Sequence, residues 1–510
     1  MKYFLGLDNG GSATKAALYD VNGSEIAVAG TSTESLHPKL SFVERDMEEM
    51  WKANCRVISS VISKAEIDPS DILGIAVCGH GKGLYLWGKD NQPAMNGIIS
   101  TDNRAWEYPV KWAEEGIEEE ARKISCQNIM ASQQVSLLAW LRDNNPEIIE
   151  RTSFIFGAKD YIRFRLTGEA FAERSDYSGA NLLNLRTGEY DPELLKLFGL
   201  SDYSDKLPPL VNSSDICGYV TKEAAAMTGL REGTPVVGGA FDIDACAMGA
   251  GVIASDKICM IAGTWSINEY VQETPVTDGT SKMNSLFCIP GLYLIEESSP
   301  TSAGNLDWFV KNVLQVNETE SKAVFRKLDS LAESVGADAF CPVFLPFVMA
   351  SNVNPLAMGS FIGMDSYHSL SHIARSIFEG VAFSHRYHYE KLLKSRSQKP
   401  QCIRLAGGVA NSRIWTEIFA DVMDVPVESV CVKESGALGC AIIAAVGTGY
   451  YPDYQTAVEK MSPQSKRIYP NKENTSLYNK KYSLYLKAID CLDSFWNETE
   501  MTGLKKGERL

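Results

Sequence analysis

The 510-residue sequence predicts an α/β protein built from two related domains. Three observations carry that reading. An apolar strand, a glycine turn and a second strand open the chain over 3–20 (YFLGLDNGGSATKAALYD). The same scheme returns about half a chain later over 257–272 (KICMIAGTWSINEYVQ). After each hairpin, β-rich apolar runs alternate with stretches of helical periodicity, as packed α/β layers require. A strand–turn–strand unit used once per half suggests two domains facing each other. Glycine turns of this kind let backbone N–H groups approach phosphate, so a nucleotide between the domains is expected.

The opening reads as a β-meander: strands over 3–8 and 13–19, a turn at Val21-Asn22-Gly23, then a strand over 25–31. Asn-Gly is a hairpin signal because the tight turn needs positive φ. Residues 47–64 carry helical spacing (Met50, Trp51, Val57, Val61) behind acidic residues suited to a helix start. An apolar strand over 72–78 ends in Gly79-His80-Gly81-Lys82-Gly83, and 84–87 continues it. Helices are predicted over 134–142 and 158–166. Gly233 to Gly239 leads into a small-residue helix over 240–249 that carries Asp242 and Asp244. The domain boundary falls near 252–256, giving domains 1–253 and 254–510. The second half then offers a helix over 372–393, a strand over 403–406 and the turn Gly407-Gly408. An amphipathic helix over 411–423 follows, then a strand over 425–432 and a small-residue helix over 434–448. Beyond Pro452 the chain turns polar, with a final helix over 478–495.

Composition narrows the function. The net charge of −15 argues against nucleic acid as a partner, which needs a basic face. It leaves room for phosphate ligands held locally. Twelve cysteines include no CxxC pair, so they read as reduced thiols packed in cores. The N-terminus enters a strand at once, without a signal-peptide pattern, and no apolar run reaches the ~20 residues of a membrane span. A cytoplasmic protein without a membrane partner is expected.

Four motifs carry the chemistry. Asp8-Asn9-Gly10-Gly11-Ser12 offers a backbone anion cradle, with Asp8 placed to serve Mg²⁺ directly or through water. A plain type I′ hairpin is the alternative. Asp242, just after Gly238-Gly239-Ala240-Phe241, stands at a helix start where it can accept a proton from an attacking hydroxyl. An N-cap aspartate is the alternative, and Asp244 is the rival base. Leu405 to Asn411 is a strand–Gly-Gly–helix turn that can pass a flat ring, with Asn411 either bonding an adenine or capping the helix. Gly79–Gly83 and Thr101-Asp102-Asn103-Arg104 suit a polyol pocket, where His80, Lys82, Asp102 and Arg104 can orient hydroxyls. A solvated loop with a local ion pair explains the same residues. His385 and His388 fall on a helix, with a core or surface role.

The order of these motifs resembles the FGGY carbohydrate kinases, of the actin/hexokinase-like (ribonuclease H-like) fold. Residues 6–20 resemble the family's first phosphate motif and 238–251 its stretch with the catalytic aspartate. Gly263-Thr264 resembles the second phosphate loop, and 303–309 (AGNLDWF) a nucleotide-side helix. Residues 407–421 resemble the adenosine motif and 434–449 the closing helix. The resemblance implies an N-terminal sugar-binding domain and a C-terminal nucleotide-binding domain with a helical extension. It implies ATP and Mg²⁺ as cofactors and Asp242 as general base. Asp8 and Asp242 would serve the metal. Gly10, Gly11, Ser12, Lys15, Gly263 and Thr264 would hold phosphates, while Ala303, Asp307, Gly407, Gly408 and Asn411 would line the nucleotide site. Lys82, Asp102 and Asp242 would face the sugar, and a homodimer would be usual. Three departures bear on the sugar. His80-Gly81-Lys82-Gly83 replaces the Gln-Met-His-Gly of D-xylulose enzymes, Asn352-Val353-Asn354-Pro355 replaces Glu-Arg-Thr-Pro, and Gly11 stands where Thr is common. The Gly-Lys-Gly loop, 299–308 (SPTSAGNLDW) and Glu44-Arg45-Asp46-Met47 look most similar to the L-xylulose kinase branch. The implied reaction is transfer of the γ-phosphoryl of ATP to a small ketose. A kinase for another polyol or sugar acid, or an ATP-binding switch of the same fold, is the alternative.

Overall fold

Both glycine hairpins form. In the computed structural model, which describes residues 1–281, 283–430, 432–463 and 466–501, strand Tyr3–Asn9 pairs antiparallel with Ala13–Asp20. Strand Lys257–Ala262 pairs the same way with Ser266–Gln272. The chain divides into two compact units. One holds Met1–Ala254, Val271–Ile295 and Glu434–Pro463; of the described residues, the other holds Ser255–Tyr270, Glu296–Lys433 and 466–501.

In the first unit a mixed sheet runs in the order Ile216–Tyr219, Pro235–Val237, Ile72–Gly79, Tyr3–Asn9, Ala13–Asp20, Glu25–Ser32. The short strand Ala240–Phe241 also pairs parallel with Ile72–Gly79. Parallel register sets Asp8 beside Cys78 and Cys78 beside Ala240. The carboxyl ends of three parallel strands therefore deliver Asp8, His80 and Asp242 to one edge, where α/β sheets bind ligands. Helix Met47–Ala65 covers one face, burying Met50, Trp51, Val57, Ile58 and Val61 at helical spacing. Its cap is Asp46, which accepts the Glu49 N–H at 2.9 Å. Its Asn54 reaches back to the first hairpin, donating to Asn9 Oδ1 at 3.0 Å and accepting from Thr14 Oγ1 at 2.9 Å.

The small-residue helix Ser435–Gly447 also belongs to this unit. It packs backbone against backbone on both sides. A Cβ on Gly6 would lie 1.9 Å from Ala437 O, and one on Gly439 would lie 1.9 Å from Ala245 O. Gly439→Ala should therefore cost about 1–3 kcal/mol by overpacking. A lowered thermal midpoint checks this; an unchanged one would show that the two helices can part at no cost.

The second unit repeats the scheme. Beyond its hairpin, Lys257–Ala262 pairs parallel with Cys402–Ala406, which pairs parallel with Val427–Ser429. That last strand is shorter than the 425–432 expected, and Cys431 lies outside the described residues. Helices Leu370–Lys394 and Arg413–Met423 pack on this sheet, and the chain closes with helix Lys472–Met501. The final helix is tied down by Lys481, 3.0 Å from Glu379, which also takes the Arg375 guanidinium at 2.8 Å.

Three local expectations change. Residues 84–87 do not extend the preceding strand. Lys82 and Gly83 both have positive φ (64° and 73°), which turns the chain away, and Tyr85–Gly88 pairs instead with Thr152–Phe156. The Asn9–Ser12 turn has no positive-φ residue, so it is not a type I′ hairpin. In the next turn only Gly23 has positive φ, and Asp20 Oδ1 holds it by accepting from Asn22 and Ser24 N–H. The described cysteines form no disulfide, and all but Cys246 and Cys491 are buried. Among the described residues, no helix is long and apolar enough to cross a membrane.

Candidate active site

In the first unit the site is assembled from strand ends. Asp8 is half-buried near the end of its strand, and desolvation raises its pKa to about 6, against the opposing pull of Lys15. Lys15, directly across the hairpin, holds Glu434 at 2.9 Å. Gly436 leaves room for Asp8: a Cβ there would crowd Asp8 Oδ2 at 3.2 Å. Gly10, Gly11 and Ser12 form the turn beyond, and a Cβ on Gly11 would meet nothing within 4 Å. The turn thus opens onto free space at Gly11. Arg45, almost fully buried, donates to the carbonyls of Gly10 and Gly11 and stiffens the cradle from behind. Arg45 and Glu434 were not singled out in the sequence as cradle residues, because each lies far from the turn along the chain.

Asp242 is the first residue of helix Asp242–Gly249 and is half-buried. Phe241 holds the cap position without a side-chain cap bond, so Asp242 is not an N-cap. Asp244 is fully buried and accepts the Cys288 N–H at 3.0 Å. Burial, then Glu173, drives its pKa well above its ordinary value, which favours the neutral form, and its side chain is shut off from bulk solvent. That leaves Asp242 as the candidate base.

Behind Asp242 lies a buried ionic network. Lys159 sits 2.8 Å from Asp160 and 3.2 Å from Glu173, and Arg163 sits 2.7 Å from Asp160. Glu173 also accepts from the N–H and hydroxyl of Ser175 and the hydroxyl of Ser213. Ser175 Oγ in turn accepts the Phe241 N–H at 3.0 Å, which fixes the residue before the candidate base. Asp176, buried in the same network, has its pKa driven well up by burial.

The predicted polyol residues divide into braces and an open cation. His80 is buried, with Nε2 2.9 Å from the Tyr85 hydroxyl, and burial holds its pKa down at about 4. Its ring is neutral near pH 7. Asp102 accepts from Val43 N–H at 2.6 Å and from the Arg104 guanidinium at 2.9–3.1 Å. Arg104 also holds Glu44 at 2.8 Å and lies over the rings of Phe42 and Trp140. Asp102 and Arg104 thus form a buried brace. Lys82 differs. Its ammonium lies 6.0 Å from the centre of the Phe241 ring, and no carboxylate holds it among the described residues.

The second unit supplies a cavity of about 820 Å³. Gly263, Thr264, Ala303, Asp307, Gly408 and Asn411, all expected at a nucleotide, line it. Its size suits a nucleoside. Gly407 stands behind the wall with φ 88°, and a Cβ there would lie 2.5 Å from Ala262 O. Ser412, not Asn411, caps the following helix, accepting the Trp415 N–H at 3.2 Å. One wall was missed: helix Glu318–Glu333 contributes Lys322, Phe325, Arg326 and Asp329. Their spacing of three and four residues was the available signal.

A glycine turn beside a carboxylate, a candidate base at a helix start and a nucleoside-sized cavity are the parts a phosphoryl-transfer enzyme of the actin/hexokinase-like fold would use. Solved structures share that fold. Xylulose kinase from Lactobacillus acidophilus superposes with TM-score 0.86 at 23% identity, covering 98% of this chain and 100% of that one. Glycerol kinase from Plasmodium falciparum with ADP gives 0.82 at 18%, covering 96% and 98%. The FGGY family of carbohydrate kinases matches by its N-terminal domain over residues 3–249 and by its C-terminal domain over 258–448. L-xylulose/3-keto-L-gulonate kinase of Escherichia coli (strain K12) is 36% identical over 496 residues, 97% of this chain and 98% of the relative. Xylulose kinase of Bacillus subtilis (strain 168) is 28% identical over 95% of this chain and 96% of the relative. The chain belongs to the FGGY family of carbohydrate kinases, and it is an ATP-dependent kinase of a small-molecule sugar.

Proposed function

We propose that this kinase transfers the γ-phosphoryl of ATP to the terminal hydroxyl of a ketopentose, L-xylulose or a related xylulose. The observation that carries the reading is Asp242: half-buried, first in its helix, and anchored through Phe241 and Ser175 to a buried ionic network. In this reading the sugar binds in the first unit and the nucleoside in the cavity of the second. Asp242 takes the proton of the attacking hydroxyl. Backbone N–H groups of Gly10, Gly11 and Ser12, with Lys15, hold phosphate oxygens. Among the described residues no cluster of three or more His, Cys, Asp or Glu makes a metal cage. A magnesium ion that arrives with the nucleotide does not need one: it takes one or two carboxylates plus phosphates, and Asp8 and Asp242 fit that requirement. It would supply charge neutralisation on the transferring group. The neutral His80 and the Asp102–Arg104 brace hold the sugar-side loops in place.

Lys82 favours a second reading, a ketose bearing a carboxylate at the end remote from the phosphorylated hydroxyl. The name of the Escherichia coli relative joins a ketopentose and a sugar acid in one enzyme. A Lys82 ammonium that lies beside Phe241 with no acidic partner among the described residues suits that anion. The test is an ADP-release screen over L-xylulose, D-xylulose, L-ribulose, glycerol, gluconate and 3-keto-L-gulonate. Best activity on L-ribulose, glycerol or gluconate would overturn the first reading, and a strong preference for D-xylulose would refute the likeness to the L-xylulose branch. Lys82→Met should lower kcat/KM for the sugar acid by about tenfold to a hundredfold, the worth of a charge-assisted hydrogen bond, and change that for L-xylulose by less than about threefold. Equal losses on both would remove the second reading.

A further inference from the structure

The buried ring of His385 touches neither the cavity nor solvent, yet it joins the segments that line the nucleotide cavity. His385 lies on helix Leu370–Lys394 and is fully buried. Its Nδ1 is 3.0 Å from Ser266 Oγ and 3.1 Å from Asn268 Oδ1. Its Nε2 is 2.7 Å from Ser302 Oγ. Ser266 closes the turn that begins at Gly263, and Ser302 directly precedes Ala303 and the helix Gly304–Trp308. Gly263, Thr264, Ala303 and Asp307 are cavity wall. The third wall joins too: the ring packs edge-on against Phe419, 5.2 Å away on helix Arg413–Met423.

The hydrogen-bond pattern fixes the tautomer. Asn268 Nδ2 donates to Glu297 O at 3.1 Å and to Ser266 Oγ at 3.3 Å, which leaves Oδ1 facing the ring as an acceptor. Nδ1 therefore carries the proton, and Nε2 accepts from the Ser302 hydroxyl. Burial, then His388, holds the ring's pKa near 3, so it stays neutral. The groups around it are polar or aromatic, and Glu297 is taken by His388 at 2.9 Å.

We infer that His385 is a positioning residue for the nucleotide. Its two nitrogens set the spacing between the Gly263–Ser266 phosphate turn and the Ser302–Asp307 segment. The spacing matters because the two walls already touch. Gly304 N–H donates to Gly263 O at 3.2 Å, and a Cβ on Gly304 would lie 3.5 Å from Thr264 Cα. A ring that bonds at one end only would let Ser266 or Ser302 turn elsewhere and shift one wall against the other. The inference rests on the reading of this cavity as the nucleotide site.

The test uses the full chain and ADP as the probe in titration calorimetry, with KM values for ATP and sugar alongside. His385→Leu removes all three ring contacts and strands the buried Ser302 hydroxyl and Asn268 Oδ1, and should weaken ADP binding by about tenfold. The KM for sugar should move by less than about twofold. His385→Gln spans a similar two-ended distance and should recover most of the lost affinity. Ser302→Ala tests the same link without touching the helix core, should it happen that His385→Leu fails to fold, and should weaken ADP binding by about threefold to tenfold. Equal shifts in both KM values, or a His385→Gln variant no better than His385→Leu, would overturn the inference. Asn411→Ala, on the cavity wall, tests the site itself. Unchanged ADP affinity there would remove the nucleotide from this cavity and the inference with it.

Discussion

Asp242→Asn should lower turnover by roughly 10²–10⁴-fold, the usual worth of a general base, with little change in either KM. The amide keeps the side chain's size and its place at the helix start, so binding survives while proton acceptance is lost. The companion variant is Asp244→Asn, two residues on. Asp244 is buried and accepts the Cys288 N–H, and burial favours its protonated form. An amide mimics that neutral form, so turnover should fall by less than about tenfold. Steady-state ADP release measures both. Near-normal turnover in Asp242→Asn would end its assignment as the base, and a reversed pattern would hand the role to Asp244.

Lys159→Met should cost about 3–5 kcal/mol of stability, the price of breaking a buried ion pair from one side. Lys159 and Arg163 face Asp160, Glu173 and Asp176, all buried. Burial alone would lower the Lys159 pKa, but the neighbouring carboxylates, Asp160 first, outweigh it and hold it above its ordinary value. Removing that charge leaves three acids against one arginine. The loss is a large share of the 5–15 kcal/mol typical of a folded protein. Denaturant melts should show a clearly lower midpoint. Turnover should fall as well, because Glu173 holds Ser175, and Ser175 holds the backbone before Asp242. A variant as stable as the parent would show that the network is decorative.

The hairpins, the Gly-Gly turn and the place of Asp242 were legible in the sequence because their signals are local. Glycine and asparagine declare turns, and short apolar runs declare strands. What sequence hid was the use of charge. Lys159, Asp160 and Arg163 stand at spacings that on most helices mark a solvated face, yet all three are fully buried. Arg104 looked ready to bind hydroxyls, but Phe42, Glu44 and Trp140 come from distant parts of the chain to enclose it. Lys82 could be read as a sugar ligand, but not as a residue at φ 64° that swings the next strand into another sheet. The helix Glu318–Glu333 went unseen because its cavity face mixes lysine, phenylalanine, arginine and aspartate, which no hydrophobic periodicity reveals.

Helix Ser435–Gly447 bears on how such an enzyme changes its diet over evolutionary time. Gly436 fits against Asp8, and Gly439 fits against the helix that begins with Asp242. A larger residue at either glycine would press on Asp8 or on the helix that Asp242 begins. The Gly79–Gly83 loop is anchored by His80 and carries Lys82, half-buried beside Phe241. If Lys82 reads the sugar as proposed, a lineage could change its sugar at position 82 while keeping these glycine contacts.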